Sequence, residues 1–246
     1  MNNKPWISIF GANSDIAIEV ARIYASNGYN LYLLSRNVSS LQRIKADLQI
    51  RFEVNVEIYH FDATDFKKNS EIYDILPTKP IGVIIAFGVM FDQKSTQDSI
   101  KLIELTVETN FLGSITILET IAKDFEARKE GFIVGISSVA GERGRQSNYI
   151  YGSTKGAFSI YLEGLRHRLY KSNVRVITVK PGFVNTKMTE NLKLPFILTA
   201  SPVYVAKKIF YAVEKNKKTV YIKSIWRYIM LTIKLIPDFL FNRTSL

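Results

Sequence analysis

The chain has 246 residues, 47% hydrophobic and 22% charged, which suits a packed globular domain and excludes an intrinsically disordered one. The absence of cysteine excludes a disulfide framework and a thiolate metal site, and the two isolated histidines, His60 and His167, disfavour metal catalysis. The net charge of +11 is uneven: from Lys207 onward nine basic residues face only Glu214 and Asp238, a net of +7, so an anionic partner is expected there, lipid or nucleic acid by charge alone. No nucleic-acid reader module accompanies that charge, and no nucleic acid is expected. The opening stretch MNNKPWISIFGAN enters a strand at once, without the apolar run of a secretory leader, so a cytoplasmic chain is expected.

Trp6 to Phe10 reads as a strand and Asp15 to Asn27 as an amphipathic helix, with Gly28 closing it. The turn between them, Gly11-Ala-Asn13-Ser14-Asp15-Ile16, aims backbone N–H groups and a helix dipole at one point, where a phosphate is favoured. Asp15 is the awkward member, because its charge opposes a pyrophosphate unless it points away. Asn30 to Leu34 is the second strand and ends in Ser35-Arg36. At that place an acid bonds the 2′-hydroxyl of NAD, whereas an arginine accommodates the 2′-phosphate of NADP. No acid is present, so NADP(H) is favoured over NAD(H), with a plain surface arginine as the other reading of Arg36.

Ser39 to Phe52 has helical periodicity and Val56 to Phe61 is strand-like. Asp62-Ala63 follows, where Asp62 either meets an adenine amino group or caps its own loop. Ile81 to Phe87 is a continuous apolar run closed by Gly88, as for a strand buried on both faces. A helix through Leu102 to Phe111 carries Asn110. Gly131 to Ile136, Tyr151 to Tyr170 and Val174 to Val179 read as strand, helix and strand, ended by Pro181-Gly182. About six alternations argue a single-domain α/β fold of Rossmann type, a doubly wound parallel sheet over residues 1–223, with a basic amphipathic tail at 224–246.

The chemistry concentrates in ISSVAGERGRQSNYIYGSTK, residues 136–155. Tyr151 and Lys155 are four apart, one helical turn on one face, so the ammonium is expected to lower the phenol pKa from about 10 toward neutrality. Ser138, thirteen residues before Tyr151, stands at the rim of the fifth strand. YxxxK alone occurs by chance on many helices. Joined to Gly11, Asn110, Ser138 and Pro181-Gly182 in this order, it resembles the short-chain dehydrogenase/reductase family over roughly residues 5–225.

That resemblance implies a nicotinamide cofactor and hydride transfer between a carbonyl and an alcohol. Tyr151 would be the general acid, Lys155 would hold the nicotinamide ribose, Ser138 would bind the carbonyl oxygen, and Asn110 would support a proton path to Lys155. Cofactor contacts would fall on Gly11, Asn13, Ser14, Asp15, Ile16, Ser35, Arg36, Asp62, Ala63, Gly88, Tyr151, Lys155, Pro181, Gly182, Val184 and Thr186. The chain departs from the family in its altered glycine turn and in Ile85-Ala86-Phe87-Gly88, where Asn-Asn-Ala-Gly is usual.

The segments AFG (86–88), PGFVNTKM (181–188) and RYIM…IP (227–237) resemble, more narrowly, the decaprenylphosphoryl-2-keto-β-D-erythro-pentose reductases. This likeness implies a lipid-linked keto-sugar substrate, a role in cell-envelope arabinose supply and a flavin oxidase partner. Arg143 and Arg145 become candidates for the carrier phosphate, with loop salt bridges as their other reading. A reductase of a small soluble carbonyl and a non-catalytic dinucleotide sensor or scaffold are the rival functions. The tail segment 224–236, SIWRYIMLTIKLI, is too short and charged to span a bilayer. It is expected to lie at the inner face of the plasma membrane, with Arg227 and Lys234 toward anionic headgroups and Trp226, Ile229, Met230, Ile233 and Ile236 in the acyl boundary. A homo-oligomer contact and a cover over the substrate cleft are its alternatives.

Overall fold

The computed structural model describes residues 4–190 and 192–244. In chain order the elements are β1 (Trp6–Phe10), α1 (Asp15–Ser26), β2 (Asn30–Ser35), α2 (Leu41–Phe52), β3 (Val56–His60), α3 (Phe66–Asp74) and β4 (Gly82–Ile85). Then come α4 (Gln93–Gln97), α5 (Ile100–Val107), a π-helical turn (Glu108–Leu112), α6 (Gly113–Arg128), β5 (Phe132–Ile136), a 3-10 turn (Val139–Glu142) and α7 (Tyr149–Leu169). The last part holds β6 (Arg175–Pro181), β7 (Phe183–Val184), β8 (Thr199–Ala200), α8 (Pro202–Glu214), β9 (Thr219–Ile222), α9 (Ile225–Leu235) and α10 (Asp238–Phe241).

Seven strands form one parallel sheet in the order β3-β2-β1-β4-β5-β6-β9. Alternate residues feed two cores. Ile7, Ile9, Leu31, Leu33, Ile84 and Val134 pack under α1, α2 and α8, while Phe10, Tyr32, Leu34, Val83, Ile85 and Ile133 pack under α3, α6 and α7. Burial on both faces explains why these strands read as unbroken apolar runs. Helices begin where a short polar side chain receives an orphan amide: Ser14 accepts from Ala17 N–H, and Ser99 and Ser201 do the same for α5 and α8.

Six sheet strands were expected, and among the described residues the sheet holds seven, with β7 and β8 pairing apart from it. The added one, β9, lies at the sheet edge beside β6, in the last residues assigned to the domain, where no strand was read. The tail itself is not a separate apolar surface. Trp226, Met230 and Ile233 of α9 turn inward and pack with Val139 of the 3-10 turn, Phe183 and Leu198. This corrects the expected lipid-facing stripe: four of its five members, Ile229 included, pack toward the protein, and the outward face holds Ile225, Tyr228, Leu231 and Leu235 instead. Among the described residues no helix is long and apolar enough to cross a membrane.

Candidate active site

Parallel strands deliver their carboxyl ends to one rim, and the break in strand order between β1 and β4 opens a cleft there. Two cavities fill it. One, about 340 Å³, is lined by Ser138, Tyr151, Lys155 and Arg145, with Asn13 to Ile16, Pro181, Gly182, Val184 and Thr186 along its floor. The other, about 250 Å³, is lined by Gly11, Ser35, Arg36, Asp62 and Ala63. They share Asn13, Ser14, Ala86, Phe87, Gly88 and Met188, so they form one trough from the end of β2 to the start of α7.

The first turn is built for close approach. Gly11 has a φ of +80°, and a Cβ there would lie 2.5 Å from the backbone N of Phe87, so only glycine fits. Asn13 donates to Ser35 Oγ at 2.7 Å and to the Asn37 carbonyl at 2.8 Å, locking the turn to the end of β2. Asp15, at one of the family's glycine positions, accepts the N–H of Lys187 at 2.8 Å, tying the segment after β7 across the trough. Asp62 accepts from the N–H and hydroxyl of Thr64, the loop-capping arrangement. The trough therefore offers what a dinucleotide needs: a close backbone approach at Gly11, a helix N-terminus whose acid is turned to Lys187, a basic end at Arg36, and orphan amides at Asp15 and Ile16.

At the other end the chemistry is dry. Ser138 is buried, accepting from Ala140 N–H at 3.1 Å and donating to the Pro181 carbonyl at 3.4 Å. Lys155 is 5% exposed and donates to the Ile136 carbonyl at 3.0 Å. Its ammonium stands 5.8 Å from the centre of the Tyr151 ring. Burial pushes the Tyr151 phenol up to about 12, against a smaller downward pull from Ser138, and brings Lys155 down to about 8. The expected depression of the phenol by its lysine is thus overturned: the ammonium is directed at a carbonyl, and desolvation outweighs it. The phenol keeps its proton at neutral pH, the state a general acid requires.

Backbone contact sets the spacing of the two hydroxyls. Each member of the Tyr151/Lys155 pair is followed by a glycine, and a Cβ on Gly152 would fall 2.8 Å from the Ala140 carbonyl. A Cβ on Gly156 would fall 2.9 Å from that of Gly141, and one on Gly141 would meet Gly156 N at 2.4 Å. Helix α7 therefore lies backbone to backbone on the turn that follows Ser138.

The family model described as short chain dehydrogenase matches residues 5–195. The chain belongs to the short-chain dehydrogenase family. An uncharacterized oxidoreductase of Mycobacterium tuberculosis is 31% identical over 240 residues, covering 96% of each chain. The fold is that of a short-chain dehydrogenase from Burkholderia cenocepacia solved in complex with NADP, with a TM-score of 0.84, 18% identity, and coverage of 98% of this chain and 97% of that one. It also matches a bulky-bulky ketone specific alcohol dehydrogenase from Comamonas testosteroni, with a TM-score of 0.81, 20% identity and 96% coverage of both chains.

Within this short-chain dehydrogenase one site expectation changes, at Arg143, while Asn110 is placed beside Lys155 as expected. Asn110 sits in the π-helical turn, and its amide is committed: Oδ1 accepts from Val89 N–H at 2.7 Å, and Nδ2 donates to the Val89 carbonyl at 2.9 Å and to Thr154 at 3.2 Å. It is a positioning residue that holds Gly88 against Lys155, where a Cβ would stand 3.4 Å from Nζ. Arg143 leaves the cavity. Its guanidinium donates to the Ile233 and Ile236 carbonyls and pairs with Asp238 at 2.9 Å, capping the end of α9, and it stacks on Phe241. Its reading as a phosphate ligand is therefore withdrawn, and Arg145 alone of the two lines the cavity.

Sequence reasoning missed Ser137, whose hydroxyl donates to the Lys155 carbonyl at 2.8 Å and so fixes the catalytic turn of α7. It also missed Trp226, Met90, Leu192 and Asn148 in the cavity wall. The doubled serine at 137–138 was a visible signal for the first. The others come from distant segments with no local pattern to join them.

Proposed function

We propose that the chain is an NADPH-dependent reductase of a ketone group carried by a bulky, partly apolar molecule. The observation that carries this reading is the convergence of Ser138, Tyr151 and Lys155 on one cavity, with the phenol protonated at neutral pH. A ketone oxygen held by both hydroxyls would accept a proton from Tyr151 as negative charge develops on it, and Ser138 would stabilise that charge through a bond already in place. When bound, the nicotinamide supplies the hydride.

Lys155 would hold the nicotinamide ribose, the orphan amides of α1 the pyrophosphate, and Ser35 with Arg36 the 2′-phosphate. The absence of an acid after β2 supports NADP(H) over NAD(H), as does the NADP complex of the Burkholderia neighbour. Met90, Phe183, Leu192 and Trp226 make the substrate end apolar.

Within this class the reading is the 2-keto group of a pentose on polyprenyl phosphate, supplied by a flavin oxidase. The sequence likeness supports it, and so do exposed apolar side chains at the cleft's edge. Phe196 and Ile197 are 93% and 76% exposed on the segment that Lys223 and Trp226 bond. That surface, with Arg227, suits an anionic lipid bilayer, whereas Lys234, expected to face headgroups, pairs instead with Glu142 at 3.0 Å.

Loss of NADPH absorbance with the lipid-linked keto pentose in anionic vesicles, beside small soluble ketones, tests the reading. Turnover of the lipid-linked substrate that vanishes in Tyr151→Phe is expected. Turnover confined to soluble ketones would restrict the function to small carbonyls, and no turnover of any ketone would sink it.

A further inference from the structure

Arg145 stands in the connector between the 3-10 turn and α7, on the wall of the ketone cavity. Its side chain has no hydrogen bond or ion pair with any described residue, and its Nε is buried without a partner. Arg145 is half-buried, and a buried guanidinium N–H without a partner is costly unless a ligand completes it. The nearby acids are committed elsewhere: Glu142 to Lys180, Lys234 and Tyr221, and Asp238 to Arg143.

Three residues on, Asn148 closes the same turn through its N–H to the Arg145 carbonyl at 3.1 Å. Its side chain makes no cap to α7, its Oδ1 is buried and unpartnered, and it lines the same cavity. One turn thus presents a bare cation and a bare acceptor to the space in front of Tyr151, while the facing wall of Met90, Phe183 and Trp226 is apolar.

We propose that Arg145 and Asn148 form an anion subsite for the ketone substrate, the guanidinium binding a carboxylate or phosphate-ester group and Asn148 accepting from a neighbouring hydroxyl. The inference rests on the reading of this cavity as a ketone site. It makes the enzyme selective for hydroxy ketones that carry their own oxyanion, and it assigns that selectivity to Arg145 and not to Arg143.

Two matched pairs test it: a ketone phosphate monoester against the same ketone with a free hydroxyl, and a keto carboxylate against its methyl ester. Whichever pair is turned over identifies the oxyanion. Wild type should favour the anionic member in kcat/KM by about 10- to 100-fold, the range of one charge-assisted bond. Arg145→Met should abolish that preference by raising KM for the anionic member about 10- to 100-fold more than for the neutral one, Arg145→Lys should keep part of the preference, and Asn148→Leu should raise KM for the hydroxylated substrate. Equal handling of both members by wild type overturns the proposal.

A second readout does not depend on turnover. Trp226 lines the cavity, so in a Trp6→Phe background with NADP+ present its fluorescence reports phenyl phosphate binding. Binding about tenfold weaker in Arg145→Met, with an unchanged melting temperature, supports the subsite; equal binding overturns it. Selective phenyl phosphate binding with no reduction of any ketone would leave the subsite standing and remove the reductase reading instead.

Discussion

A Cβ added to Gly182 would lie 2.0 Å from the indole of Trp226, so the first turn of α9 rests directly on the backbone that leaves β6. Gly182 lines the trough, and Trp226 donates from its ring N–H to the Leu198 carbonyl at 3.1 Å. The tail helix is thereby part of the cavity wall. Gly182→Ala must lift it, which should lower the melting temperature by several degrees, an overpacking cost of about 1–3 kcal/mol. Trp226→Ala is destabilising alone, but in the Gly182→Ala background it should cost less. Strict additivity of the two losses, read by thermal denaturation, would show that the contact is not tight.

Tyr151→Phe removes the proton donor and leaves the ring in place. Turnover should fall by about 10²- to 10⁴-fold with NADPH affinity unchanged within twofold, as measured by steady-state kinetics and equilibrium titration. Because burial holds the wild-type phenol up to about 12, the reduction step should not lose rate through Tyr151 ionisation until strongly alkaline pH. A loss of that step near neutrality that disappears in Tyr151→Phe would contradict the raised phenol.

Lys155 gives a second pH signature. Its pKa is lowered to about 8, so the ammonium is present below that value and is lost as pH rises through it. If the charged form holds the cofactor ribose, the Kd for NADP(H) should be flat between neutrality and about 8 and then climb, by at most about tenfold per pH unit for a single linked proton. Lys155→Met should bind more weakly and without that upward bend. Isothermal titration across the window checks both.

Arg36 lies exposed at the end of the trough. Arg36→Leu should weaken NADPH by about tenfold, the modest value of an exposed charge contact, and leave NADH within about threefold. Equal losses for both cofactors would remove the 2′-phosphate role.

Arg143 and Arg145 separate cleanly by variant. Arg143→Ala deletes the cap of α9 and should raise KM for anionic and neutral ketones alike, while exposing the segment after Lys223 to protease. The neighbouring Glu142 latch has its own pH dependence. Burial works to raise its pKa, but the bonds from Tyr221, Lys180 and Lys234 prevail and hold it below the ordinary carboxylate range. Its contribution is therefore present above about pH 4.3, the ordinary value, and is lost as pH falls through the lower folded one. Trp226 emission should stay constant through mild acid and shift only below that range; Glu142→Gln should shift it already at neutrality.

Much of the sheet was legible because strands buried on both faces leave continuous apolar runs, and β1 was read to the residue. The edge strand β9 was hidden: it is four residues, TVYI, set behind Lys217 and Lys218, and half of its side chains are only partly buried. The Tyr151/Lys155 pair was legible from its helical spacing once Gly11, Asn110, Ser138 and Pro181-Gly182 stood with it in order. The direction of its pKa shifts was not, since spacing carries no measure of dryness. In α9 the amphipathic period was visible, but several apolar stripes fit it, and only the packing of Val139 and Phe183 selects the inner one. Arg143 and Arg145 are two apart in one loop, and what distinguishes them is a set of carbonyls some ninety residues away.

The glycine that follows each of Tyr151 and Lys155 has a bearing on temperature. Side-chain packing softens first on warming, as rotamers begin to exchange, whereas two backbones in van der Waals contact have no rotamers to lose. With Gly152 and Gly156 seated on Ala140 and Gly141, the gap between the Ser138 and Tyr151 segments is gauged first by main chain, with the Ser137 hydroxyl bonded to the Lys155 carbonyl beside it. Alignment of the two hydroxyls should therefore persist nearly to the melting transition, and activity should fail with global unfolding and not before it.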